Sequence, residues 1–256
     1  MHRGSRKHIL DWTARESFLT ELEHLLAPCP VQFSAKTKFM PKGVKAPTEA
    51  RIERFGQFWL PRNPAWAAIK DWWLSYKGAA NTPNWDIAVG CEIEDHQGLV
   101  LVEAKANWPE LGTGGKSIAE NASDNSRANH ARIGAAIEEA CVGWRLLDDR
   151  VFISRDSHYQ LANRLAFTWK LASLGIPVVL LYIGFTGKDG IRKPFADDAN
   201  WQDAFGKYTE NTVPIELFDK RLEVESTPMW LISRSRTIIE LSPTFSYQAA
   251  AADKRC

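Results

Sequence analysis

The sequence predicts an α/β chain, on three observations. Residues 176–185 form a continuous apolar run, the pattern of a strand buried on both faces and therefore central. Apolar residues recur at helical spacing over 11–26, 65–76 and 157–174. Residues 85–93 and 99–105 alternate between two faces and are joined by turn-forming residues, as in an antiparallel hairpin.

Taken in order, residues 11–26 read as one helix. Trp12, Phe18, Leu19, Leu22, Leu25 and Leu26 supply its apolar positions, and Pro28 and Pro30 stop it. Residues 31–62 read as loops and short strands, punctuated by Pro41, Gly43, Pro47, Gly56 and Pro61. Pro64 in a first turn opens the helix 65–76, and Gly78 closes it. The loop 81–84 leads into the strand 85–93. Ile87, Val89, Cys91 and Ile93 line one of its faces, and Asp86, Ala88, Gly90 and Glu92 the other. Residues 95–98 are the turn, and the second strand follows over 99–105.

Residues 107–129 are polar and carry Gly112, Gly114 and Gly115, with a capping-box pattern from Ser117 to Glu120. A helix is expected over 128–147 and a short strand over 151–153. Ala162, Leu165, Trp169 and Ala172 give the helix 157–174 its apolar stripe; Gly175 ends it and Pro177 lies just beyond. After residue 187 the signals weaken to a helix near Trp201, a strand over 229–233 and a frayed end over 249–256. No internal repeat is present. The expected organisation is a single domain over 1–256: a core over 64–186, a helical and basic extension over 1–63, and a C-terminal extension over 187–256.

Composition narrows the function classes. The 256 residues are 45% hydrophobic and 25% charged, the balance of an ordinary globular protein. Cys29, Cys91, Cys141 and Cys256 are scattered, so neither a disulfide framework nor a zinc site is indicated. The first residues lack the apolar stretch of a signal peptide, and the run 176–185 is about half of what spans a bilayer. A cytoplasmic protein with no membrane partner is expected. Net charge is +1, but Lys36, Lys38, Lys42, Lys45, Arg51, Arg54 and Arg62 are opposed only by Glu49 and Glu53 in their stretch. Such a run is the footprint of a polyanion or a solvated face. The eleven tryptophans are unusual for this length, and Trp66, Trp72 and Trp73, on a helix, read as core.

The chemistry is carried by Asp86 and by Glu103-Ala104-Lys105. Glu103 and Lys105 share one face of their strand, with Leu99 and Leu101 upstream on that face. A hairpin brings Asp86 towards Glu103. An acid and a base at the end of a strand otherwise made for burial, with a second carboxylate from the preceding strand, suit a metal ion. The alternative is an exposed ion pair on an edge strand. In the next helix, Gln160 and Arg164 lie one turn apart and share a face. His130 and His158 have no motif around them.

Helix, strand with an aspartate, strand ending in Glu-x-Lys, helix, central strand: over residues 64–186 this order resembles the PD-(D/E)xK superfamily of restriction-endonuclease-like nucleases. Asp86, Glu103 and Lys105 match its motif. Gln160 and Arg164 are similar to the Gln-x-x-x-Tyr element of some branches. The chain departs from the pattern in having Trp85 where proline precedes the aspartate, with Pro83 two positions earlier.

The resemblance implies an αβββαβ core with a mixed central sheet flanked by helices. It also implies a metal-dependent nuclease acting on nucleic acid, DNA first, with Mg²⁺ or Mn²⁺ as cofactor. Asp86, Glu103 and the Ala104 carbonyl would hold the metal, Lys105 would join them in catalysis, and Glu92, Gln160 and Arg164 are further candidates. Arg164 is expected to meet a substrate phosphate. Oligomeric state is left open, a homodimer included. Two rivals stand beside this reading: a non-catalytic nucleic-acid-binding or scaffold protein that keeps the fold, and an enzyme of unrelated chemistry.

Overall fold

A computed structural model describes residues 4–78, 80–188 and 190–238. Two helices open the chain, α1 (Gly4–Thr13) and α2 (Phe18–Leu26), where the sequence reads one. A straight helix turns 100° per residue and would put Ile9 and Phe18 on opposite sides. The break at 14–17 folds both onto the same core, and Trp12 meets Phe18 edge-on with ring centroids 5.0 Å apart.

Three short strands follow: β1 (Val31–Gln32), β2 (Phe39–Met40) and β3 (Ala50–Arg51). Next comes α3 (Ile52–Trp59), a helix the sequence reads as loop. Gly56, which signals a break, instead admits the ring of Trp66: a Cβ there would lie 2.2 Å from the Trp66 indole. The helix α4 (Ala65–Trp73) stops before residue 76, and Trp66, Trp72 and Trp73 are all buried.

The expected strand 85–93 divides at Asp86 into β4 (Asn84–Trp85) and β5 (Ile87–Ile93), and β6 (His96–Lys105) returns beside it. The turn is not 95–98 but Glu94-Asp95, both at positive φ (49° and 64°), the two-residue hairpin that matches strand twist. The difference decides the site. A turn centred on residues 96 and 97 would place Asp86 opposite Asn107. The observed register, Ile87 against Val102, places it opposite Glu103.

Beyond β6, Ser117 caps nothing: α5 (Asp124–Arg145) starts later, and the Ser123 hydroxyl accepts from the Ser126 amide at 3.3 Å. Residues 151–153 are not a strand. Then come α6 (Tyr159–Ser173), β7 (Val178–Thr186), α7 (Asp198–Thr209), β8 (Leu222–Val224) and β9 (Thr227–Thr237). The reading of 249–256 as frayed falls outside the described residues.

The sheet is mixed, in the order β1-β5-β6-β7-β9-β8, with β2 also on β5. β6, β7 and β9 run parallel, and β5 and β8 run antiparallel to their neighbours. One face carries Ala88, Leu99, Leu101, Leu180 and Leu231 under α3 to α7, and the other carries Val89, Val100, Val102, Leu181 and Ile232 under α1 and α2. This is an α/β architecture with helices on both sides of one sheet. Among the described residues no helix is long and apolar enough to cross a membrane.

Candidate active site

The site lies where the β5–β6 ladder ends. The chain bends at Asp86 just before β5 begins, so its carboxylate meets the last residues of β6 beyond the final rung, and Oδ2 accepts from the Ala104 amide at 2.8 Å. Amide and carbonyl of one strand residue leave on the same edge. The Ala104 carbonyl therefore also faces the Asp86 side.

Glu103 is the centre of a buried network, although it sits on a strand in the middle of the sheet. One oxygen accepts from Lys105 Nζ at 2.6 Å and from Gln160 Nε2 at 2.8 Å, and the other accepts from Arg164 Nε at 2.7 Å. Gln160 closes the ring by accepting from Lys105 through Oε1 at 2.8 Å. Glu103, Lys105 and Arg164 are each at most 5% exposed. Burial would push the Glu103 carboxyl up, but the Arg164 and Lys105 charges and their hydrogen bonds hold it below the usual carboxylate range. It is an anion.

Asp86 behaves in the opposite way. Burial first, and then the Glu103 charge, push its carboxyl up to about 7 against the Ala104 hydrogen bond and the more distant Lys105 and Arg164. Its second oxygen has no hydrogen-bond partner among the described residues. Two carboxylates and a carbonyl form a hard oxygen donor set of the kind Mg²⁺ or Mn²⁺ takes, with waters completing the shell. A half-buried carboxylate raised by its anionic neighbour is what a divalent cation would relieve. The donor types suit such an ion, while both Glu103 oxygens already accept hydrogen bonds. Among the described residues no cluster of three or more His, Cys, Asp and Glu could hold a metal, so any site here rests on two carboxylates.

The sequence-predicted residues divide. Asp86, Glu103, Lys105, Gln160 and Arg164 come together. Glu92 does not: it is exposed near the hairpin turn, six residues along β5 and thus about 20 Å away by strand rise. Arg164 is present in another role. Besides Glu103, its guanidinium donates to the Asn84 carbonyl at 2.7 Å and to Asn163 Oδ1 at 2.9 Å, and it stacks on the Trp85 ring at 4.4 Å. A side chain so enclosed ties β4 and Glu103 to α6.

Sequence reasoning missed Asn84, Trp85 and Asn163 as supports. The departure at Trp85 was the available signal, since its ring is the platform Arg164 lies on. Also missed were Tyr182, paired with Glu103 across β6 and β7, and Tyr208, whose side chains are both buried beside the network. Of the basic stretch, Lys36, Lys38, Lys42, Lys45, Arg54 and Arg62 are exposed, as either reading of it requires.

Set against protein-family models, curated proteins and solved structures, the chain finds no match in any of the three.

Proposed function

We propose that the chain is a metal-dependent nuclease with a restriction-endonuclease-like core, hydrolysing phosphodiester bonds, in DNA first. The observation that carries this is the convergence of Asp86, Glu103 and Lys105 on one sheet face at the open end of a ladder. β6 lies between β5 and β7, so the acid and base are not the exposed ion pair of an edge strand. Such burial of a charged group is costly and calls for a function.

In this reading Asp86, Glu103 and the Ala104 carbonyl hold the ion, which would polarise the scissile phosphate and acidify a bound water. Lys105 keeps its ammonium beside the carboxylates, where it can orient that water or meet charge developing on phosphorus. Gln160 fixes the orientation of both Glu103 and Lys105.

The rival, a nucleic-acid-binding protein without chemistry, has one observation behind it. Both oxygens of Glu103 are already taken by Lys105, Gln160 and Arg164. The two readings separate in an assay on single- and double-stranded DNA and RNA with Mg²⁺ or Mn²⁺, run beside metal titration by calorimetry. The nuclease reading expects metal binding that Asp86→Ala abolishes, and cleavage that Lys105→Ala removes while metal binding persists. Nucleic-acid binding with neither metal binding nor cleavage overturns it in favour of the rival.

A further inference from the structure

The glycine-containing segment after β6 is left without a role by this reading. It crosses the N-terminus of α6: His158 N donates to the Thr113 carbonyl at 2.8 Å, and Tyr159 N donates to the Gly114 carbonyl at 3.0 Å. At Gly115 a Cβ would lie 2.3 Å from the Asp156 carbonyl oxygen, so the approach requires glycine. Lys116 follows, fixed on both sides. Its amide donates to the Arg155 carbonyl at 2.8 Å, and His130 Nε2 lies 2.8 Å from its carbonyl.

The side chain placed by this anchored backbone shares with Lys38 and Lys42 an aromatic partner in place of a carboxylate, and among these three it is the one that lies against the start of α6. Lys7, Lys77, Lys105, Lys170 and Lys207 each pair with a carboxylate. Lys116 has none among the described residues, and its ammonium lies over the Tyr159 ring, 5.0 Å from the centroid. Tyr159 directly precedes Gln160, the residue that bridges Glu103 and Lys105. It packs against the core beneath α6, and burial pushes its phenol up to about 12, so it stays a neutral donor. Its hydroxyl has no hydrogen-bond partner among the described residues.

We propose that Lys116 and Tyr159 form a contact for a nucleic-acid backbone phosphate next to the scissile one, at the edge of the Asp86–Glu103 site. This rests on the nuclease reading and adds a substrate-positioning pair to it. A charge held over an aromatic face, on a backbone anchored by hydrogen bonds on both sides, is pre-organised for an external anion; the Tyr159 hydroxyl offers a second donor. Neither group touches the reacting atoms, so the pair acts on binding and not on the chemical step.

The test is steady-state cleavage of an oligonucleotide by wild type, Lys116→Ala, Lys116→Arg and Tyr159→Leu over a series of salt concentrations. Anisotropy of the same oligonucleotide without metal runs in parallel. Lys116→Ala should raise KM about tenfold, the scale of one charge-assisted hydrogen bond, and leave kcat within about twofold. The slope of log KM against log salt should fall by about one, and Lys116→Arg should restore it. Tyr159→Leu should give a smaller rise in KM. Because the Lys116 side chain makes no hydrogen bond among the described residues, melting temperature should not move. Unchanged KM, Kd and salt slope in Lys116→Ala, with wild type binding and cutting, overturns this inference alone. A fall in kcat equal to the rise in KM also overturns it, since the role would then be structural or chemical. If wild type neither binds nor cuts any oligonucleotide, the nuclease reading falls and takes this proposal with it.

Discussion

Glu103 shows how a carboxylate stays ionised inside a sheet. Arg164 and Lys105 hold it within 2.7 Å, and Gln160 occupies a remaining lone pair. Removing one partner of such a pair strands a buried charge, which costs more than the pair itself contributes. Arg164→Ala should therefore destabilise the protein by about 3–5 kcal/mol, measured by urea unfolding at neutral pH. Arg164→Lys should restore part of that, because an ammonium can reach Glu103 but cannot also fork to Asn84 and lie flat on Trp85. A loss below about 1 kcal/mol in the alanine variant would mean that Glu103 finds another partner or takes up a proton.

At the scale of elements, the site depends on β6 and β7 being flush and on α7 lying close over them. Lys105 pairs in register with Gly184 of β7, and a Cβ on Gly184 would stand 2.3 Å from the Trp201 ring. That ring is fully buried and pinned by its bond to Ser233 Oγ at 3.1 Å. Gly184→Ala should thus lift α7 at a cost of about 1–3 kcal/mol in chemical denaturation. Trp201→Leu in the same chain should recover some of it, a coupling a double-mutant cycle reads directly. An additive cycle would place the strain elsewhere.

The sequence carried this level unevenly. Strand faces were legible because alternation is local: Ala88, Leu99 and Leu101 do lie apart from Val89, Val100 and Val102. The helix α3 was not, since Gly56 reads as a breaker until Trp66, ten residues on, is known to fill its place. The enclosure of Arg164 was equally hidden, because Asn84 and Trp85 lie about eighty residues away in the chain.

For the whole molecule, the two carboxylates leave opposite marks on the dependence of stability on pH. Asp86 has its carboxyl raised from 3.8 to about 7 by burial and by Glu103. Folding thus takes up a proton in that window. The stability this gives is complete below the unfolded value and is lost as pH rises through about 7. Glu103, held below its ordinary value of 4.5, contributes the reverse: stability present above that value and lost as pH falls through its folded one. The wild-type profile sums the two, so a difference between variants is needed. Asp86→Asn removes the first contribution only. Relative to wild type, its stability should rise steadily between pH 4 and 7 and then stay level, followed by denaturant unfolding without metal. Mg²⁺ or Mn²⁺ competes with that proton. Added at millimolar concentration, it should stabilise wild type more at pH 8 than at pH 5.5 and leave Asp86→Asn nearly unmoved, since a ligand that binds only the native state adds stability in proportion to its occupancy. A difference profile that is flat from pH 4 to 8 would mean that Asp86 is ionised throughout. A metal effect equal in both proteins would place the ion away from Asp86.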